Sequence, residues 1–132
     1  MPNDELIARL EAATGPCREL DAAIALAKGW IQYGPNWFTP PNLTVKHHKS
    51  ELPRYTASID AALTLVPANA LWGVKALWDQ GPDANGGPKA YRGSVDVYEV
   101  RDGLFWKDNH LSLAPTPALA ICIAALKARS HD

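Results

Sequence analysis

Few of the residues able to do chemistry in this chain have the spacing that chemistry needs. The one basic cluster is Lys46-His47-His48-Lys49. Adjacent histidines lack the i, i+4 spacing that sets two imidazoles on one metal from a helix. The cluster therefore reads as a solvated loop, with contact to a charged ligand as the functional alternative. Asp108 and His110 fall on one strand face, but two ligands do not make a metal site. Gly81–Lys89 holds three glycines. A phosphate-cradling loop leads straight into a helix and ends in Lys-Ser or Lys-Thr, whereas Pro88-Lys89-Ala90 and a strand follow here. The segment reads as a turn. No Gly-x-Ser-x-Gly elbow is present. Cys122 lies in an apolar helix, where burial disfavours the reactive thiolate; Cys17 falls in a helical first turn, which lowers a thiol pKa. Asp4, Glu5, Glu11, Glu19 and Asp21 read as solvated helix faces or caps. These residues point to no catalytic group, no metal and no cofactor.

Aromatic residues give the stronger functional hint, because five tryptophans in 132 residues is a heavy load. Trp72 and Trp78 fall on one face of an alternating strand, Trp106 on a later strand beside them, and Trp30 and Trp37 in an irregular loop. Core packing is the simpler reading for the strand tryptophans, since each ring buries a large area. The functional alternative is a partly open aromatic surface, because tryptophan, tyrosine and arginine dominate binding hot spots. Its contacts would be Trp72 and Trp78, with Arg54, Tyr55, Lys75 and Arg92 supplying polar groups.

The elements that must position these residues follow from periodicity and punctuation. A first helix starts at Asn3 or Asp4, buries Leu6, Ile7 and Leu10, and ends at Thr14-Gly15-Pro16, with Gly15 in the left-handed position. A second starts at Pro16, runs to Lys28 with Leu20, Ala23, Ile24 and Ala27 as its buried stripe, and stops at Gly29. Residues 30–54 read as an ordered loop pinned by aromatics, with Leu43–Val45 as one short strand. A third helix, capped by Thr56 or Ser58, presents Ile59, Leu63 and Val66 on one face and stops at Pro67. Leu71–Trp78 alternates as a half-buried strand with Trp72, Val74, Ala76 and Trp78 on one side. Tyr91–Val100 is a second strand, with Tyr91, Val95 and Val97 inward and Arg92, Ser94 and Asp96 outward. Asp102-Gly103 makes the hairpin turn into a third strand from Leu104, with Leu111–Leu113 as a short fourth. Thr116-Pro117 opens a last helix that is apolar almost all the way round, so it must sit in the middle of the fold. The class is α+β: a small antiparallel sheet of three to four strands packed with about four helices.

Composition bounds the rest. At 132 residues the chain is one domain, 1–132, large enough for a single core. With 47% apolar and 20% charged residues it is globular, and a net charge of -1 gives no basic excess for nucleic acid. Two cysteines at apolar positions fit a reducing compartment rather than a disulfide scaffold. Met1-Pro2-Asn3-Asp4-Glu5 does not resemble a signal peptide, and the apolar run Pro117–Leu126 covers about half of the ~20 residues that cross a bilayer. The expectation is a cytoplasmic protein without a membrane partner.

Three blocks, Leu6–Ala27, Tyr55–Pro67 and Thr116–Arg129, appear in an order that resembles small phage and prophage proteins carrying the phage ABA sandwich domain. The resemblance spans the chain. It implies helices on both faces of a sheet, an α/β/α sandwich-like arrangement, and a phage or prophage accessory protein of the host cytoplasm. Relatives continue after the Val-Pro with Glu-Gly and an aromatic, whereas this chain has Ala68-Asn69-Ala70-Leu71-Trp72. The family carries no assigned catalytic residues. The expected function is a non-enzymatic binder of a host protein or small metabolite; the alternatives are a structural homo-oligomer and a small enzyme of unknown reaction.

Overall fold

A computed structural model describes residues 4–41, 45–67, 70–77 and 90–130. Trp78, the Gly81–Lys89 turn, Leu43, Thr44 and His131 lie outside the described residues. In chain order the elements are α1 (Asp4–Glu11), α2 (Arg18–Ala27), β1 (Ile31–Tyr33), β2 (Trp37–Thr39), β3 (His47–His48), a 3-10 turn (Lys49–Glu51), α3 (Ile59–Leu63), β4 (Ala70–Leu77), β5 (Ala90–Arg101), β6 (Leu104–Ala114) and α4 (Pro117–Ser130). Two antiparallel three-stranded sheets form, β1-β2-β3 and β4-β5-β6. The α+β class with four helices is as expected.

Helix α4 organises the core. Thr116 Oγ1 accepts from Leu119 N at 3.2 Å and Pro117 takes the first helical position, so cap and start coincide. Every residue from Ala118 to Leu126 is buried. A helix without a polar face has to be covered on all sides. One side lies on β4, β5 and β6; the other meets α1 and α3. The layer order is therefore sheet, α4, outer helices. This corrects the layering that the family resemblance implies: the helix, not the sheet, is the middle layer. Among the described residues, the far face of β4-β5-β6 is left open, with Leu71, Leu111 and Leu113 exposed on it.

The β5–β6 hairpin turns through Asp102 (φ 52°) and Gly103 (φ 78°), both in the left-handed region that a tight two-residue turn requires. Tyr91, Val95 and Val97 pack against the core while Arg92 is exposed, as the alternation predicts. Gly93 lies on the same face, directly beneath Ala120 of α4. Residues 111–113 continue β6 rather than forming a fourth strand.

Other expectations are corrected. Residues 30–54 are not a loop: β1 pairs with β2 and β2 with β3, Tyr33 standing opposite Trp37 and Trp37 opposite His48, and this makes a small sheet with Phe38 in the core. On α2, Ala27 is exposed and Asp21 is buried, because Asp21 reaches across to Thr56. On α3, Ala62 and Leu65 turn inward and Ile59 is exposed, because the short helix gives way at Thr64 and places Leu65 against the core. Gly15 is not left-handed; Gly29 is, at φ 100°.

Candidate functional site

The open face of β4-β5-β6 is where unneutralised charge gathers. In the β4–β5 register, Lys75 is directly opposite Arg92 and Gly73 directly opposite Ser94. In the β5–β6 register, Arg92 pairs with Leu113, Ser94 with Leu111 and Asp96 with Asn109. Even-numbered positions of β5 point away from α4, so these residues form three cross-strand rows on one surface. One row is Lys75, Arg92 and Leu113; the middle row is Gly73, Ser94 and Leu111; the third is Leu71, Asp96 and Asn109.

The middle row is short at two of its three places, which sinks a cavity of about 380 Å³ into the sheet, lined in part by Gly73, Lys75, Arg92, Ser94, Asn109 and Leu111. Directly opposed side chains in a sheet stand about 5 Å apart at Cβ, and like charges there repel. Neither Lys75 nor Arg92 has an acidic partner among the described residues. A second concavity of about 390 Å³ continues from Arg92 past Leu111 and Leu113 to Lys127. Lys127 is committed: its ammonium donates to Leu111 O at 3.1 Å and lies 3.4 Å from Glu11 Oε2.

The sequence-derived contacts divide sharply. Lys75 and Arg92 are brought together as neighbours on the open face. Trp72 belongs to the other face, with Ala70 and Val74, and is 47% exposed. Tyr55 is 3% exposed and packs in the core, so it cannot contact a ligand at the surface. Arg54 is exposed and is not among the residues that line the sheet groove. Trp106 lies on β6 opposite Glu99. The residues missed were Gly73, Ser94, Asp96, Asn109 and Leu111. A signal for four of them existed, because counting outward from the Asp102-Gly103 turn sets Asp96 against Asn109 and Ser94 against Leu111.

The other chemistry-bearing groups are absorbed by structure. His48 caps the 3-10 turn: its Nδ1 accepts from Ser50 N at 3.2 Å, and its backbone N–H donates to Glu51 Oε1 at 3.1 Å. That backbone bond, then contact with His47, holds the Glu51 carboxyl below the usual carboxylate range. Trp37 meets His48 edge-on with ring centroids 5.3 Å apart. Lys49 pairs with Glu19, and this hydrogen bond and charge lower the Glu19 pKa. A further concavity, about 590 Å³ at the α1–α2 joint, is walled by Arg9, Thr14, Gly15, Cys17 and apolar residues. It brings one cation and one thiol together and contains no conflict of charge, so the smaller sheet groove is the better candidate.

Cys122 is inert by position. Its thiol is buried, donates to Tyr55 O at 3.1 Å, and has its pKa pushed up to about 12, first by burial and then by the Asp21 charge. A thiol reagent is expected to label Cys17 in the native protein and Cys122 only after unfolding, as mass spectrometry would show. The same shift carries a pH dependence. Between about 9, the ordinary value, and about 12, the unfolded thiol loses its proton while the folded one keeps it. The unfolded state then binds fewer protons, and stability falls as pH rises. Wild type minus Cys122→Ala, compared in urea melts at pH 8 and pH 10.5, should show that loss as a shrinking difference.

Among the described residues, no helix is long and apolar enough to cross a membrane. Comparison of the chain with protein-family models, with curated protein sequences and with solved structures returns no match.

Proposed function

We propose that this chain is a non-enzymatic binding protein that holds an anionic group on the open face of β4-β5-β6. The observation that carries the reading is the directly opposed Lys75–Arg92 pair, which has no acidic partner among the described residues. Two like charges held side by side lower stability, and a local conflict of this kind is what a binding site tolerates and an anion relieves. Arginine offers a planar fork to a phosphate or carboxylate, lysine a second charge, and Ser94 a hydroxyl beside them. The resemblance to phage ABA sandwich proteins supports a phage or prophage accessory role in the host cytoplasm. The anion would then belong to a small metabolite or to an acidic patch on a host protein.

An NMR titration with butyl phosphate tests this. Saturable amide shifts are expected at Gly73, Lys75, Arg92 and Ser94. Arg92→Ala should weaken binding by about tenfold or more, the loss of one charge-assisted contact. Either Lys75→Ala or Arg92→Ala should leave stability unchanged or raise it by about 0.2–1 kcal/mol, because a cross-strand repulsion is gone. Absence of shifts at these four residues, up to tens of millimolar probe, would end the proposal.

A homo-oligomer is the second reading, favoured by exposed Leu71, Leu111 and Leu113 on one face. Sedimentation across a hundredfold range of concentration separates the two.

A further inference from the structure

We infer that the groove on the open face takes a dipolar ligand, with an anionic end at Lys75 and Arg92 and an amino or amidino end at Asp96 and Asn109. The inference rests on the anion-binding reading above and adds the second anchor, hence the class of molecule.

The groove runs across the strands. Its floor is the Gly73–Ser94 pair, where side chains are smallest; a Cβ added at Gly73 would already come 3.3 Å from Ser94 Oγ. One wall is the Lys75–Arg92 row and the other is Asn109, with Asp96 beside it in the same cross-strand row. Each wall stands two residues from the floor along the strands, so the backbone positions of Arg92 and Asp96 are separated by about 13 Å. No ion pair joins Arg92 to Asp96, and Asp96 has no cationic partner among the described residues. Opposite charges therefore face one another across a gap that the protein itself leaves unbridged.

The polarity of the acidic wall is set by one hydrogen bond. Asn109 Nδ2 donates to Asp96 Oδ1 at 2.6 Å. A carboxylate can only accept, so the amide must turn its nitrogen toward Asp96. What the pair retains is mainly acceptor capacity: the amide carbonyl and the remaining lone pairs of the carboxylate. A phosphate or carboxylate would be repelled there, whereas an ammonium, amidine or donor-rich ring edge would be attracted. The cationic wall has the opposite preference. Leu111 lines the groove between them, which suits a short apolar spacer. The cavity of about 380 Å³ lies at the small end of the range for small-molecule sites.

The test uses two probes that differ in one amino group, butyl phosphate and 4-aminobutyl phosphate, titrated by calorimetry or NMR into the whole chain. Wild type is expected to bind the amino compound at least tenfold more tightly. Asp96→Asn should bring the two probes within about twofold of each other. Arg92→Ala should weaken both probes. Equal binding of the two probes by wild type would overturn the dipolar inference and leave the anion site standing. Binding of neither probe would overturn both. A tenfold preference that survives in Asp96→Asn would also overturn the inference, because the amino group would be held elsewhere. Both substituted residues lie on the open face, and unchanged melting curves would separate loss of binding from loss of fold.

Discussion

Gly93→Ala is expected to cost about 3–5 kcal/mol and to lower the melting temperature by roughly 10 °C or more. At Gly93 the sheet and α4 touch backbone to backbone. A Cβ there would fall well inside contact distance of the Ala120 carbonyl oxygen, 2.6 Å from its carbon and 2.7 Å from Ser112 Oγ. Ser112 Oγ also donates to that same carbonyl, so the clash strikes a buried hydrogen bond as well as a contact. Relief would require α4 to move away from the sheet. It cannot do so cheaply, because α1 and α3 pack on its other side. Alanine is otherwise a better strand residue than glycine, so a purely local effect would have the opposite sign. Gly73→Ala is the control. The nearest obstacle there is a serine side chain on an open face, and a cost under about 0.5 kcal/mol is expected. Thermal melts of the two variants decide the point. Similar stability in both would mean that sheet and helix are not in backbone contact at Gly93.

Asp21→Ala is expected to cost about 3 kcal/mol, with Asp21→Asn close behind. Asp21 is 1% exposed, and its carboxylate accepts from Thr56 N at 2.8 Å, Thr56 Oγ1 at 2.7 Å and Arg18 Nη1 at 2.8 Å. Arg18 in turn donates to the carbonyls of Lys49, at 2.6 Å, and Leu52, at 3.1 Å. Thr56 Oγ1 accepts from Cys17 N at 2.9 Å. One side chain therefore ties the start of α2 to the segment before α3 and to the end of the 3-10 turn. Truncation leaves a buried amide and a half-buried guanidinium without their acceptor. Asparagine keeps the volume but loses the charge and turns a donor toward one of its former partners. Chemical denaturation of Asp21→Ala, Thr56→Val and the double variant gives the coupling. A coupling above about 1 kcal/mol is expected, and strict additivity would show that the two residues do not act as a unit.

How much of this was legible depends on the range of the interaction involved. α4 could be read in full, because a helix that is apolar almost all the way round, with a Thr-Pro start, admits only a central position. The β5–β6 hairpin could be read down to its register, because a two-residue turn fixes every pair by counting. The small sheet β1-β2-β3 is not legible in the sequence, because its strands are two or three residues each, too short for a period to show. Asp21 was misjudged because its sequence neighbourhood is that of a solvated helix face. Only Thr56, 35 positions away, makes it a buried acceptor.

The candidate site divides along the same line. Arg92, Ser94, Asp96 and Asn109 share an outward face by alternation and turn geometry alone, both local properties of the chain. That Lys75 stands opposite Arg92 is not local. The twelve positions from Trp78 to Lys89 are too many for the register to be counted off from the sequence, and the pairing arises from packing the inner face of β4 against α4, where a slip of one residue would turn Val74 outward and Lys75 inward. Which side of the sheet stays open was likewise decided in three dimensions. α4 has the one surface without polar residues, so it takes the middle layer, and the opposite face of the sheet, with its paired cations and its acid, is left to meet something else.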